Sequence, residues 1–232
     1  MRGKKGTEIT ISVRREEVPR LIDVSIIREV IKIQSVKSKT LEKSYAYVRV
    51  TQFQDRTSND LDNALKKLSR ENGKLEGVVL DLRNNPGGLL SQAVKVSDLF
   101  LDTGMIVYTK GRLESQKQKY FAHPGGYTDV PLVVLVNSGS ASASEIVAGA
   151  VQDHGRAVVL GTKTFGKGSV QTILPVDGGA ALRLTTAMYF TPNGRSIQVT
   201  GIAPDIELEN LPDALAAVRR RHLAGRASAV SR

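Results

Sequence analysis

Serines set among small residues, where an apolar run gives way to a helical pattern, are placed to attack a carbonyl group. Residues 137–146 read Asn137-Ser138-Gly139-Ser140-Ala141-Ser142-Ala143-Ser144-Glu145-Ile146, and Ser142 stands at the start of the helical pattern. A sharp turn there exposes a hydroxyl, and free backbone N–H groups, that of Ala143 among them, can receive a developing oxyanion. Small neighbours let a substrate carbonyl approach. A purely structural reading stands beside this one. Ser142 and Glu145 have the capping-box spacing, in which the serine satisfies an orphan N–H at the helix start. Spacing alone also leaves Ser140 and Ser144 open.

A free serine hydroxyl is a weak nucleophile at neutral pH and needs a base. Of the three histidines, His154 is nearest in sequence, but an unbroken helix from Ser142 carries it roughly 18 Å along the axis, out of reach. His123 lies in a Pro/Gly-flanked loop and reads as a surface residue. Lys167 is the other candidate, in Gly161-Thr162-Lys163-Thr164-Phe165-Gly166-Lys167-Gly168-Ser169-Val170-Gln171. This segment nearly spells a phosphate-binding P-loop. It departs twice: Gly168 stands where a Mg²⁺-binding hydroxyl belongs, and β-type residues follow where a helix should begin. Between two glycines, Lys167 can instead approach Ser142 closely. In a strand Lys167 and Gln171 face the same way, which lets the Gln171 amide oxygen hold the lysine. A lysine base works only where burial disfavours its charged form. The structural alternative is a solvated loop lysine.

The elements that must position these residues follow from periodicity. Residues 77–82 and 131–137 are short apolar runs of buried-strand type, each followed by turn residues and then a helical pattern, over 89–100 and 142–153. Two such units imply an α/β layer. Residues 59–68 form another helix, with Leu61, Ala64, Leu65 and Leu68 on one face. Strands are predicted at 7–13, 45–50, 157–160, 170–174 and 181–189, and a less regular one within 22–33. Residues 212–224 look helical, with Pro212 at the first turn and Gly225 beyond the end. The strand-rich C-terminal half makes the whole a mixed α/β chain.

Composition narrows the alternatives. The chain has 232 residues, 41% hydrophobic and 24% charged, with no Trp, which argues against stacking platforms for single-stranded nucleic acid. Lys and Arg exceed Asp and Glu by 33 to 23, a formal +10. Five of these charges, Arg219, Arg220, Arg221, Arg226 and Arg232, sit in an acid-free tail, leaving an ordinary solvated surface elsewhere. There is no cysteine, so neither disulfides nor thiolate metal chemistry is available. The longest apolar run, 130–136, is far short of the roughly 20 residues of a membrane span. The basic start has no apolar stretch behind it and is no secretory signal.

Three stretches together, Asp81-Leu82-Arg83-Asn84-Asn85-Pro86-Gly87-Gly88-Leu89-Leu90, the Ser142 turn and Thr164-Phe165-Gly166-Lys167-Gly168-Ser169-Val170-Gln171, closely resemble the carboxyl-terminal processing peptidases, also called tail-specific proteases. The resemblance implies a serine endopeptidase with a Ser/Lys dyad and neither metal nor organic cofactor. It implies a crotonase-like, caseinolytic-protease-like core. By the family motif the nucleophile falls on Ser142, the general base on Lys167 and the residue orienting that base on Gln171. The oxyanion donors fall on the N–H groups of Gly88 and Ala143. The first residues look like the end of a PDZ domain, so the expected organisation is a PDZ remnant at 1–18, a catalytic domain at 19–210 and a basic helix and tail at 211–232.

The resemblance further implies protein or peptide substrates, unfolded or read at their C-terminal tails, and no nucleic acid. It leaves room for a homo-oligomer and for an adaptor or regulator engaging the PDZ portion. A periplasmic or otherwise extracytoplasmic location is implied, with a signal or anchor preceding Met1. Two other readings compete: a catalytically silent binding scaffold, told apart by reaction with an acylating probe, and a basic anion or nucleic-acid module, told apart by strong salt dependence.

Overall fold

The computed structural model of the chain describes residues 2–29, 34–42 and 44–208. The helix predicted at 212–224 lies outside them. The chain divides between Gln34 and Ser35 into two compact units. In the first, β1 (Glu8–Val13) pairs antiparallel with β2 (Ile22–Ile27). Both strands fall in the unit that ends at Gln34.

The larger unit runs through β3 (Val36–Leu41), β4 (Tyr45–Val50), α1 (Thr57–Asn72), β5 (Gly77–Asp81), α2 (Leu90–Asp98), β6 (Met105–Gly111), β7 (Lys119–Phe121) and β8 (Leu132–Val136). It continues through α3 (Ala143–Asp153), β9 (Val158–Gly161), β10 (Ser169–Pro175), β11 (Ala181–Phe190) and β12 (Ile206–Glu207). Six strands form one sheet in the order β12-β9-β8-β5-β4-β3, parallel except for the β3–β4 pair.

Helices connect the parallel neighbours, α1 between β4 and β5 and α3 between β8 and β9, and each crossover advances one place in the same direction. Same-handed crossovers advancing one way put their helices on a single face of the sheet. The burial pattern agrees. Ala46, Val48, Val50, Val78, Leu80, Val134, Val136 and Val159 are buried on that face, against Leu61 and Leu65 of α1 and Ile146, Val147 and Ala150 of α3. At about 25 cal/mol per Å² of apolar area, this shared core is the main force holding the strand ends in place.

The second sheet is antiparallel, in the order β10-β11-β6-β7. Its strands β10 and β11 carry the segment after Lys167. Among the described residues no helix is long and apolar enough to cross a membrane.

Candidate active site

Two strand-to-helix corners meet at the C-terminal ends of the parallel strands. The first joins β8 to α3, and Ser142 is its corner residue, at φ 56° and ψ −113°. Positive φ in a non-glycine residue is strained, and such strain on a sharp strand-to-helix turn pushes a side chain outward. The structure separates the three serines that spacing leaves open. Ser140 is buried, and its hydroxyl donates to the Leu82 carbonyl at 2.8 Å. Ser144 is buried, and its hydroxyl donates to the Asn85 carbonyl at 2.9 Å. Ser142 is half-buried and its side chain makes no cap hydrogen bond; the Glu145 N–H goes to the Ser142 carbonyl at 2.9 Å. Its hydroxyl is the one left available.

The second corner joins β5 to α2. Asn85 is buried and ties the two corners together. Its carbonyl accepts from the Ala141 N–H at 2.9 Å, its amide donates to the Val50 carbonyl at 2.8 Å, and its side-chain oxygen accepts from the Gly87 N–H at 2.9 Å. Gly87 lies so close to the serine that an added Cβ would stand 2.8 Å from Ser142 Cβ and 2.9 Å from the Ala143 nitrogen. Phe53 clamps the next residues, donating to the Gly87 carbonyl at 3.0 Å and accepting from the Leu89 N–H at 2.9 Å. The N–H groups of Gly88 and Ala143 make no hydrogen bond among the described residues. The open Ala143 amide follows Ser142 in the chain, and the open Gly88 amide follows Gly87, which packs against Ser142; open amides are what an oxyanion site requires.

Glu145 joins these corners to the Lys167 loop. It is fully buried in the first turn of α3. Its two oxygens accept four hydrogen bonds: Oε1 from the Thr164 hydroxyl and the Gly166 N–H, both at 2.6 Å, and Oε2 from the Ser142 N–H at 2.7 Å and the Lys167 N–H at 2.8 Å. One oxygen thus binds the main chain of both residues, so their nitrogens lie no farther apart than the sum of those two distances. The long side chain of a lysine can span such a gap. The sequence reading saw Glu145 only as a local cap; its spacing three residues after Ser142 was the visible signal, while its hold on the Lys167 loop is tertiary.

Lys167 is half-buried and lies in the loop before β10. The glycines beside it serve a different contact from the one expected. A Cβ on Gly166 would stand 2.8 Å from the Val199 carbonyl oxygen, and one on Gly168 2.3 Å from the Gln198 nitrogen. They let the lysine loop pack on the turn at 196–201, whereas the glycine that approaches Ser142 is Gly87. Gln171 is exposed in β10, and a register shift falls between Val170 and Gln171. The simple alternation that would align Lys167 with Gln171 is therefore interrupted, because Lys167 precedes the strand and a bulge follows it. Gln171 makes no hydrogen bond to Lys167 here.

Beneath the second corner, Asp81 is buried and held by Arg83, Nε to Oδ1 at 2.9 Å and Nη2 to Oδ2 at 2.7 Å, by the Arg83 N–H at 3.0 Å and by the Tyr47 hydroxyl at 2.5 Å. Burial alone would raise the Asp81 pKa, but these hydrogen bonds outweigh it and hold the carboxyl below its ordinary value. The pairing fixes the end of β5 just before the glycines. The histidines stand apart from this constellation. The His154 ring is bonded to the Met105 carbonyl at 2.7 Å, and His123 is exposed beside Asp98 at 3.2 Å.

The sequence and fold that carry this arrangement match known proteins. The profile of peptidase family S41 matches residues 44–208. The chain is 51% identical over 217 residues to a carboxy-terminal-processing protease of Bartonella bacilliformis, covering 92% of this chain and 50% of that protein. It is 38% identical over 213 residues to the carboxy-terminal processing protease CtpA of Bacillus subtilis, covering 92% of this chain and 45% of that one. Among solved structures, the photosystem II D1 C-terminal processing protease superposes with a TM-score of 0.69 at 30% identity, covering 89% of this chain and 57% of its own. The chain thus spans about half the length of these curated relatives. Family profile and relatives agree, and the chain belongs to peptidase family S41, among the carboxyl-terminal processing peptidases.

Proposed function

We propose that the chain is a serine endopeptidase that cleaves protein substrates near their C-termini through a Ser142/Lys167 dyad. The observation that carries this reading is the shared carboxylate oxygen of Glu145, which brings the backbones of a free serine and a half-buried lysine together beside two open amides. In the reaction, neutral Lys167 takes the Ser142 proton as Oγ adds to the scissile carbonyl. The N–H groups of Gly88 and Ala143 receive the oxyanion. The C–N bond then breaks, Lys167 returns its proton to the departing amine, and an acyl-enzyme ester remains on Ser142. Water, deprotonated by Lys167, adds to the ester; the second tetrahedral intermediate collapses to the free acid as the ester C–O bond breaks and Lys167 returns that proton to Ser142 Oγ. The family motif gives the orienting of Lys167 to Gln171, and no hydrogen bond between the two carries that role in this structure.

The same reading takes the larger unit as a crotonase-like core, supported by its one-way strand and helix steps, and β1–β2 as the end of a PDZ domain. It places the working protein outside the cytoplasm. The test is cleavage of an unfolded protein substrate by the chain and by Ser142→Ala and Lys167→Ala. Both variants keep the circular dichroism of the parent and lose cleavage; retained activity in either contradicts the dyad.

A further inference from the structure

The two open amides belong to different corners and are held in different ways. Ala143 is fixed as the first residue of α3, whereas Gly88 lies in the turn between β5 and α2. Phe53, buried in the loop between β4 and α1, holds that turn from outside. Its N–H donates to the Gly87 carbonyl at 3.0 Å, its carbonyl accepts from the Leu89 N–H at 2.9 Å, and the two backbones form a parallel bridge at Gly88. A trans peptide turns its C=O and N–H to opposite sides, so fixing the Gly87 carbonyl on Phe53 aims the Gly88 N–H away from it. The approach admits only glycine, because a Cβ on Gly88 would stand 2.0 Å from the Phe53 carbonyl oxygen.

One side chain holds Phe53 in turn. Thr57, the first residue of α1, is fully buried. Its hydroxyl accepts from the Gln54 N–H at 2.8 Å and donates to the Gln52 carbonyl at 3.2 Å. Gln52 and Gln54 are the two neighbours of Phe53, so a single hydroxyl closes the loop around it. With the one hydroxyl proton on Gln52, the buried Ser35 is the donor in the 2.9 Å contact between Ser35 Oγ and Thr57 Oγ1. The Thr57 hydroxyl serves the loop rather than the helix, whose cap position is Arg56.

We propose that Thr57, with Ser35 behind it, is a positioning residue for the oxyanion: its hydroxyl holds Phe53, and Phe53 holds the Gly88 amide in line. This rests on the peptidase reading above, in which Gly88 receives the oxyanion. The hydroxyl then counts in the transition state and not in substrate binding. The experiment measures peptide cleavage, inhibition by a peptide aldehyde and the melting temperature for the parent, Thr57→Val, Thr57→Ser and Ser35→Ala. Ser142 Oγ adds to the aldehyde carbon, its proton passing to Lys167, and the former carbonyl oxygen of the adduct takes the oxyanion position.

Thr57→Val lowers kcat about tenfold with KM unchanged and weakens the aldehyde by the same factor. Thr57→Ser keeps the hydroxyl and stays within about twofold of the parent in both. A merely structural role moves the melting temperature alone. Parent-like kcat and aldehyde affinity in Thr57→Val, or an equal loss in Thr57→Ser, overturns the inference and leaves the peptidase reading standing. Where Thr57→Val does not fold, Ser35→Ala decides: a loss of about threefold in kcat and in aldehyde affinity supports the inference, and parent-like values overturn it. A parent that neither cleaves the peptide nor binds the aldehyde overturns both readings together.

Discussion

Ser142 keeps its strained backbone, an outlier of about 1–3 kcal/mol, because four neighbours determine it: the Asn85 carbonyl on Ala141, the Glu145 carboxylate on its own N–H, Gly87 against its Cβ and the start of α3 after it. Residue types and spacing made Ser142 and Lys167 legible as a candidate pair, and the family motif chose between Ser140, Ser142 and Ser144. The physical reason for that choice was hidden, since the acceptors that occupy Ser140 and Ser144 lie 58 and 59 residues away in sequence. Glu145 was half legible: its cap is local, but its bonds to Thr164, Gly166 and Lys167 are not. Glu145→Gln tests that role. It preserves the shape but replaces an anionic acceptor by a neutral amide, so one nitrogen must face two donors. We expect a cooperative fold with kcat lowered on the order of a hundredfold and KM little changed, as for lost positioning. Steady-state kinetics checks it, and an unchanged kcat rules it out.

Among the elements, those with a buried face were readable and those without were not. The strands Tyr45–Val50 and Gly77–Asp81 and the helices α1 and α3 follow from apolar period, because each packs against the common core. Strand β3 went unrecognised because Val-Lys-Ser-Lys-Thr-Leu is exposed over its middle four residues and carries no alternation. The bulge in β10 was equally invisible, since register depends on the partner strand. The corner after β5 rests on Asp81, which yields a prediction in pH. Its lowered pKa means the stabilisation is complete above the ordinary carboxylate pKa of about 3.9 and is lost as pH falls through the lower folded value. Asp81→Asn should cost about 2 kcal/mol at pH 7, less than for a fully buried pair because Arg83 is partly solvated. The curves of parent and variant should converge toward pH 2, as urea denaturation at several pH values would show. A constant gap across that range contradicts the assignment.

At the scale of the whole molecule, the chain divides between Gln34 and Ser35, and the pairing of β1 with β2 within the first unit is a register that no local signal carries. The candidate site residues all lie in the larger unit, within the family match at 44–208. The acid-free arginine cluster at 219–232 stands outside that match. The central claim is the proposal that a chain spanning half the length of its relatives carries the whole Ser142/Lys167 site. The most direct test is to treat the intact chain with a fluorophosphonate probe, digest it and locate the adduct by mass spectrometry, with Lys167→Ala in parallel. The account predicts one adduct, on Ser142, with labelling slowed at least a hundredfold in the lysine variant. An adduct on Ser140 or Ser144, or equal labelling without Lys167, contradicts it.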